Sequence, residues 1–499
     1  MHFNVPLILS ITPFILFLVL LLAAKLPLLN VSIITVGLTL ALKIYYWKIL
    51  PLFVLNSFIK GTLVAFDIFV IIFGAIFFLE VLSNLKIIEN VSYYLKSLLK
   101  DYRVQVILLA WMFEGFIEGT AGFGTPASIV VPLLVSIGLS PLTAVTIGML
   151  GNSTAGAFGA VGTPVRVGFA GLDVSEVTKY GTIFNLAGFL VPVFMLWILA
   201  SIQKDRWKNF WEAVPFAIWA GVAFVVPSYL VSKLGPEFPS ILGSLIGMVL
   251  ILITIKLGLF VPKNKRHLEE AKVMEVKLPA YKVIIPYILL IGLLIVGKFV
   301  LGSINLEFPW GFSYKLNLFN PGLAFLVAGL PIALLWGKGN LVLKSSGSAL
   351  KRSINPFLVV VSMSALVQLM INSGNNLSGL PSSLTTISKA FELKSLPFLA
   401  PFIGAFGGFI TGSVTVSNIM FGSFLNSASL ALNYYPAIIL SLGLIGGAAG
   451  NMIALADVIS AEAVVNLKNQ TRFVLKGLII PCLIYLTLVG IMGLIVIGV

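Results

Sequence analysis

Two glutamates four residues apart, Glu114 and Glu118, lie inside an apolar run that extends from Val104 to Val161. Four-residue spacing puts both carboxyls on one face of a helix, and acids inside a membrane-depth segment are costly and usually functional. A carboxyl deprived of water resists ionisation, so proton binding at this pair can be linked to the binding of a cargo. The plainer alternative is a helix end satisfied by neighbouring backbone N–H groups. Both acids belong to the stretch Glu114-Gly-Phe-Ile-Glu-Gly-Thr-Ala-Gly-Phe-Gly-Thr-Pro126. Glycines packed this densely at membrane depth need a protein-lined or wet cavity, because lipid offers backbone groups no partner.

Neutral donors cluster at similar glycine-rich places. Gly119, Thr120, Gly122, Gly124 and Thr125 follow Glu118, Asn152, Ser153 and Thr154 lie in a second such stretch, and Ser413, Thr415, Ser417 and Asn418 in a third. Asn451 closes a fourth. Such groups suit a small carboxylate or hydroxyl, and these residues are the expected substrate-binding surface. Close helix packing of the small-xxx-small kind is the competing account of the glycines. Arg166, two residues beyond Pro164, is the cation near a break. It is either an interfacial anchor or a direct partner of an anionic substrate.

The elements that must position these groups follow from composition. At 499 residues, 59% hydrophobic and 10% charged, the chain has too few polar residues to cover a soluble domain. It reads as an all-α polytopic membrane protein. The formal net charge of +14 resides mostly in short connections between apolar runs. That placement fits lipid headgroups and topology rather than nucleic acid. The single cysteine, Cys482, allows no disulfide within the chain. His2 and His267 fall outside the apolar runs, which excludes a histidine proton relay or His-based metal centre in the membrane. No metal and no cofactor is expected. No metalloprotease, phosphate-loop or paired Asp-rich motif appears in the apolar segments, so an enzyme is not expected.

Leu7 to Ala24 is the first run; it lacks a basic leader and resembles the later runs, which argues against a cleaved signal. Leu28 to Leu42 leads into Lys43-Ile-Tyr-Tyr-Trp-Lys48, read as an interfacial belt. Gly61 to Ser83 spans and carries Asp67 and Glu80, which reach water or line a cavity. Between Pro126 and Pro141 the apolar segment is about half of the roughly 20 residues a crossing helix needs. The spacing therefore predicts a re-entrant hairpin at about 104–140 and a helix at about 141–164, broken within Gly151 to Pro164. Broken helices present N–H groups to anions and carbonyls to cations. Spans follow near 181–203, 211–231, 241–259, 283–301 and 321–336. The basic connections Lys204 to Lys208, Lys263 to Lys282 and Lys338 to Arg352 are placed on the cytoplasmic side, although Lys43, Lys48 and Lys60 would then lie outside.

The pattern returns. Gly412 to Pro436 is 24 residues and Gly119 to Pro141 is 22, and each proline precedes a glycine cluster, Gly446 or Gly151, by 10. Short Gly/Pro-interrupted segments at matching positions point to a transporter's binding site. The expected organisation is a first half at 1–262, a cytoplasmic linker at 263–282 and a second half at 283–499. The second half has its own hairpin at about 397–432 and broken helix at about 436–456. The two halves would be inverted repeats, with about 12 to 14 membrane segments in all.

Phe116-Ile-Glu-Gly-Thr-Ala-Gly-Phe-Gly-Thr-Pro126, and Asn152 with Ala157-Phe-Gly-Ala-Val-Gly-Thr-Pro164, resemble the L-lactate permease family. So do Gly235-Pro-Glu-Phe-Pro239, Thr411-Gly-Ser-Val-Thr-Val-Ser-Asn-Ile-Met-Phe-Gly422 and Gly446-Gly-Ala-Ala-Gly-Asn-Met-Ile453, so that nearly the whole chain is covered. The resemblance implies proton-coupled uptake of L-lactate or a related short 2-hydroxy monocarboxylate across the cytoplasmic membrane. It also implies kinship with inverted-repeat carboxylate carriers, often homodimeric, that move a transport domain against a scaffold. Val414 stands where the family usually has an acid, and Asn451 where it usually has a lysine. An acid and a lysine there could form a charge pair, and losing both leaves neither unpaired. Glu114 and Arg166 are charged where the family is generally not. Either acid and base have moved to the first repeat, or the cargo is a different monocarboxylate. Sodium-coupled carboxylate or dicarboxylate transport and a passive anion channel are the alternatives, and accumulation against a gradient separates carrier from channel.

Overall fold

A computed structural model describes residues 5–24, 26–97, 101–122, 125–170, 172–201, 205–268, 278–308, 312–337, 339–390 and 394–498. The protein is an all-α polytopic membrane protein, and among the described residues nine helices are long and apolar enough to cross a bilayer. Its residues form two compact units, each assembled from three stretches of chain.

The first unit takes Met1–Ile87, Leu278–Lys394 and Gly422–Asn433. Its spine is two 34-residue helices, Pro51–Asn84 and Gly339–Asn372, packed along each other. At 1.5 Å per residue each is about 51 Å long, well beyond a hydrocarbon core of about 30 Å. From Gly339 onward the second of these helices takes in the basic stretch, through Arg352, that the charges suggest is a loop; Lys338 lies outside the described residues. No proline or glycine pair interrupts it there, and Glu80 accepts from Ser348 Oγ and Arg352 Nη1, both at 2.9 Å. Asp67 accepts from Asn320 Nδ2 at 2.8 Å.

The reading of Lys43 to Lys48 as an interfacial belt is corrected for two of its residues. Lys43 and Trp47 are buried. The Lys43 ammonium sits 3.6 Å from the Trp47 ring centroid and hydrogen-bonds Ser383 Oγ. Trp47 Nε1 donates to Pro381 O at 3.1 Å. A cation over an indole and a hydroxyl acceptor together replace part of the lost water. Tyr45, by contrast, is 82% exposed. Strands Ser303–Phe308 and Phe312–Asn317 pair antiparallel in a hairpin that hydropathy alone does not announce.

The second unit takes Ile88–Lys277, Ser395–Phe421 and Tyr434–Val499. Leu396–Thr411 and Pro436–Asn451 pack together, flanked by Thr471–Ile497. Their contact is a glycine seam. A Cβ on Gly404 would overlap Gly443 O, one on Gly446 would overlap Pro401 O, and one on Gly450 would overlap Ala405 O. Small residues four apart let two backbones touch where lipid supplies no hydrophobic drive. The Gly446 to Gly450 cluster therefore lies within a continuous helix, and the break comes just past it, at Met452 and Ile453.

Gly446→Ala is expected to cost about 1–3 kcal/mol of stability by overpacking this seam. Gly37→Ala, where an added methyl meets nothing within 4 Å, should cost nothing and gain up to about 1 kcal/mol in helix propensity. Unfolding midpoints of the two variants in detergent check the contrast.

Candidate functional site

Residues 102–120 form one continuous helical rod: Tyr102–Ile107, a π-helical stretch Leu108–Phe113, then Glu114–Thr120. Asp101 caps its start, accepting from Arg103 N at 2.9 Å. The rod ends at Gly122, whose φ of +55° is a left-handed bend that glycine adopts without steric cost. Glu114 and Glu118 are thus one turn apart, and both are buried, at 0% and 5% exposure. Each carboxyl meets a glycine. A Cβ on Gly151 would lie 2.5 Å from Glu114 Oε2, and one on Gly159 would overlap Glu118 Oε1. The bare backbone at these two positions makes the room for the acids. Among the described residues, neither Glu114 oxygen nor Glu118 Oε2 has a hydrogen-bond partner.

The helix Pro141–Ala155 begins at proline with Ser140 as its cap, Ser140 Oγ accepting from Thr143 N. It runs through Gly151 and breaks only after Ala155. Ala160, Val161 and Gly162 then take φ values of 42°, 55° and 72° in succession. A left-handed β-branched residue such as Val161 costs on the order of 1–3 kcal/mol, and such strain concentrates at functional positions. The carbonyls near the break find side-chain donors. Ser240 Oγ donates to Ala155 O at 2.7 Å, Asn185 Nδ2 to Thr154 O at 3.1 Å, and Asn418 Nδ2 to Pro164 O at 2.9 Å. Arg166 pairs with Glu237 at 3.1 Å, both largely buried.

Elsewhere in the same unit, Leu396–Thr411 ends at Gly412, with φ +63°. Ser413 caps the next helix, Val414–Ala431, accepting from Val416 N. Pro436–Asn451 then gives way through a short turn to Leu455–Val464. A small cavity of about 20 Å³, room for about one water, opens here, lined by Glu118, Gly122, Gly159, Ser413, Thr415 and Asn451 among others. Residues from both glycine-rich stretches therefore meet in one unit. The combination is a carboxyl, neutral hydroxyl and amide groups, and the first turn of a helix. The carboxyl can accept a proton, and N-terminal N–H groups favour negative charge.

The remaining expected site residues fall in other roles or lie outside the description. Thr120 and Ser153 donate their hydroxyls back to their own helix, to Ile117 O and Leu150 O. Thr154 packs against Gly188, and Gly119 against Ile241. Ser417 Oγ donates to Gly404 O at 2.9 Å. Asn152 is fully buried, with Oδ1 unpartnered among the described residues. Gly124 lies outside the described residues, as does the side chain of Thr125. Two acids escaped the sequence reading. Glu237 sits 71 residues from Arg166, and its cue was the Gly235 to Pro239 motif. Asp457 lies beside Gly412, where an added Cβ would stand 3.4 Å from its Oδ1. Its cue was an acid following the Gly446 to Asn451 cluster by six residues.

A family model described as L-lactate permease matches residues 6–305 and 299–499. A Haemophilus influenzae relative is 30% identical over 460 residues, covering 83% of this chain and 84% of its own. The L-lactate permease of Streptococcus iniae is 30% identical over 404 residues, covering 77% and 82%. That of Escherichia coli (strain K12) is 25% identical over 505 residues, covering 92% and 89%.

Gly159→Ala should lower stability by about 1–3 kcal/mol, because the methyl displaces the Glu118 carboxyl. Adding Glu118→Ala should return most of that loss, and a double-mutant cycle on unfolding midpoints reads the coupling. Simply additive losses would show that the glycine does not serve the acid.

Proposed function

The chain belongs to the L-lactate permease family, and we propose that it is a secondary active carrier that moves L-lactate or a related short 2-hydroxy monocarboxylate together with protons. It is a multi-pass protein of the cell membrane. The observation that carries the chemical part of the reading is the cavity where Glu118, with one oxygen unpartnered among the described residues, stands beside Ser413, Thr415 and Asn451.

The substrate carboxylate is assigned to the first turn of Val414–Ala431, where Ser413 and Thr415 supply hydroxyls and the helix start supplies N–H groups. Glu118 is assigned the proton. A carboxyl facing a bound anion without a cation raises the electrostatic cost of that anion, and a proton removes the repulsion. Binding of the two is thereby linked, and linkage of this kind is reciprocal. Glu114, one turn behind and fully buried, is assigned the next position for the proton. Gly119, Thr120 and Gly122 shape the first hairpin, and Asn152, Ser153 and Thr154 the first break. Ser417 and Asn418 hold carbonyls of neighbouring segments. Arg166, held by Glu237 two residues past the cavity-lining Pro164, adds positive potential toward the substrate. The two matched sets of elements are read as inverted repeats.

Proteoliposomes should accumulate labelled L-lactate under an inward proton gradient and not under an inward sodium gradient alone. Glu118→Gln should abolish proton-driven accumulation, and Arg166→Ala should raise the KM for lactate by about tenfold, the loss of roughly 1.4 kcal/mol of anion binding. Proton-driven accumulation that survives in Glu118→Gln, or sodium-driven accumulation in the unaltered protein, would overturn the coupling.

A further inference from the structure

In the second unit the first broken helix stops against a receptacle on the segment that follows it. Asn185 Nδ2 donates to Thr154 O, the last carbonyl but one of Pro141–Ala155, at 3.1 Å. Gly188 meets the side chain of the same threonine: a Cβ there would stand 2.6 Å from Thr154 Cγ2 and 2.7 Å from its Oγ1. Gly181 faces the Phe158 ring, whose Cζ would lie 3.1 Å from an added Cβ. Residues 181, 185 and 188 thus receive an aromatic, a carbonyl and a side chain of the break. The winding explains how two of them reach one residue. Asn185–Leu190 is a 3₁₀ helix between the α-helices Val177–Phe184 and Val191–Ala200, and at three residues per turn side chains at i and i+3 eclipse. Asn185 and Gly188 stack on one edge, where an α-helical turn would set them about 60° apart.

The direction of the Asn185 amide is fixed by its partners. Thr154 O only accepts, so it must face Nδ2, and Oδ1 then faces Tyr485 and needs a donor. Tyr485 OH supplies it at 2.6 Å. Asn185 and Tyr485 are both buried, and a buried acceptor stripped of its donor costs its full desolvation. Tyr485 belongs to the terminal helix Thr471–Ile497. Three residues earlier, on the same turn, Cys482 Sγ donates to Ala449 O at 3.5 Å, two residues before Asn451, which lines the cavity. Ser441 Oγ donates to Val177 O at 2.9 Å, tying the start of the receptacle to Pro436–Asn451. One turn of the last helix is therefore bonded toward both glycine-rich stretches that meet at the cavity.

We propose that Tyr485 is a positioning residue of the carrier: acting through Asn185, it fixes the point at which the first broken helix stops, and with it one wall of the polar cavity. The inference rests on the proton-coupled carrier reading above. Gly156, Gly159, Ala160 and Pro164 all follow that point and line the cavity with Glu118, and Gly159 makes the room for the Glu118 carboxyl. Tyr485 is not among the residues that line the cavity, so it acts at one remove. Without its hydroxyl, Asn185 Oδ1 has no donor, the amide swings to find one, and Thr154 O is released. The freed carbonyl takes the Phe158 N–H, four residues on, which extends the α-helix by one step. That step draws Phe158 away from Gly181 and shifts Gly159 against the Glu118 carboxyl. The hydroxyl thus keeps the helix from running on into the site.

The test pairs uptake of labelled L-lactate by proteoliposomes with infrared spectra of the purified protein in lipid. Tyr485→Phe, which deletes one oxygen and keeps the ring, should raise the KM for L-lactate about tenfold while the maximal rate stays within about twofold. In acid buffer the carboxyl C=O band that Glu118→Gln removes should shift in Tyr485→Phe. Asn185→Leu, close to asparagine in volume, should move both readouts the same way, and it is the second route if Tyr485→Phe does not fold. Because Tyr485 acts through Asn185, adding Tyr485→Phe to Asn185→Leu should change KM and band no further. A folded Tyr485→Phe protein with the KM and the carboxyl band of the unaltered protein overturns the inference and leaves the hydroxyl a role in stability alone. Effects of the two substitutions that simply add overturn it as well. The band needs no cargo, so absence of lactate uptake by the unaltered protein would count against the lactate reading, and the band would decide the role of Tyr485.

Discussion

Unpaired backbone groups are the dominant constraint on this molecule, because a bilayer offers no water to satisfy a carbonyl or N–H left over where a helix stops. The second unit contains several such stops, and its polar side chains are deployed at them. Asn418 serves Pro164 O, Ser240 serves Ala155 O, Asn185 serves Thr154 O and Ser417 serves Gly404 O. Most of these donors reach a different segment, so each satisfies a break and fastens two pieces of chain at once. The polar cavity around Glu118, Ser413, Thr415 and Asn451 lies beside these breaks. Binding chemistry and backbone satisfaction draw on the same residue types, and partner geometry separates the two uses.

Glycine answers a second constraint, that of volume. The seam between Leu396–Thr411 and Pro436–Asn451 uses glycine to bring backbone against backbone, Gly159 uses it to seat the Glu118 carboxyl, and Gly151 does both, against Ala110 O and the Glu114 carboxyl. The spacing of four between Glu114 and Glu118 is answered by a spacing of eight between those glycines, across the 3₁₀ turn Gly156–Phe158. The acids and the first break are therefore complementary in shape as well as in chemistry.

Fold class was readable because apolar runs of spanning length have one stable form in lipid. The left-handed bends at Gly122, Gly162 and Gly412 fall within glycine-rich stretches that are conspicuous in the chain. The exact places of the breaks were not legible, since Gly151 and Gly446 look like helix breakers and act as packing surfaces inside continuous helices. A basic-aromatic run reads as interfacial until a partner such as Ser383, 340 residues away, takes the lysine inside. Pairings at long range, Arg166 with Glu237 and Asn418 with Pro164 O, leave no local period to detect. The two units likewise interleave five times along the chain, which no composition shift marks.

That interleaving has a consequence for how the protein is made. Glu118 enters the membrane 333 residues before Asn451 is synthesised. At about 5–20 residues per second the delay is roughly 17 to 67 s. During that interval the cavity has one wall, and its acid has no amide neighbour from the far end of the chain. Gly159 arrives only 41 residues after Glu118 and closes over it. The glycine that seats the carboxyl in the finished carrier is thus positioned to shield it from lipid while the rest of the site is still on the ribosome.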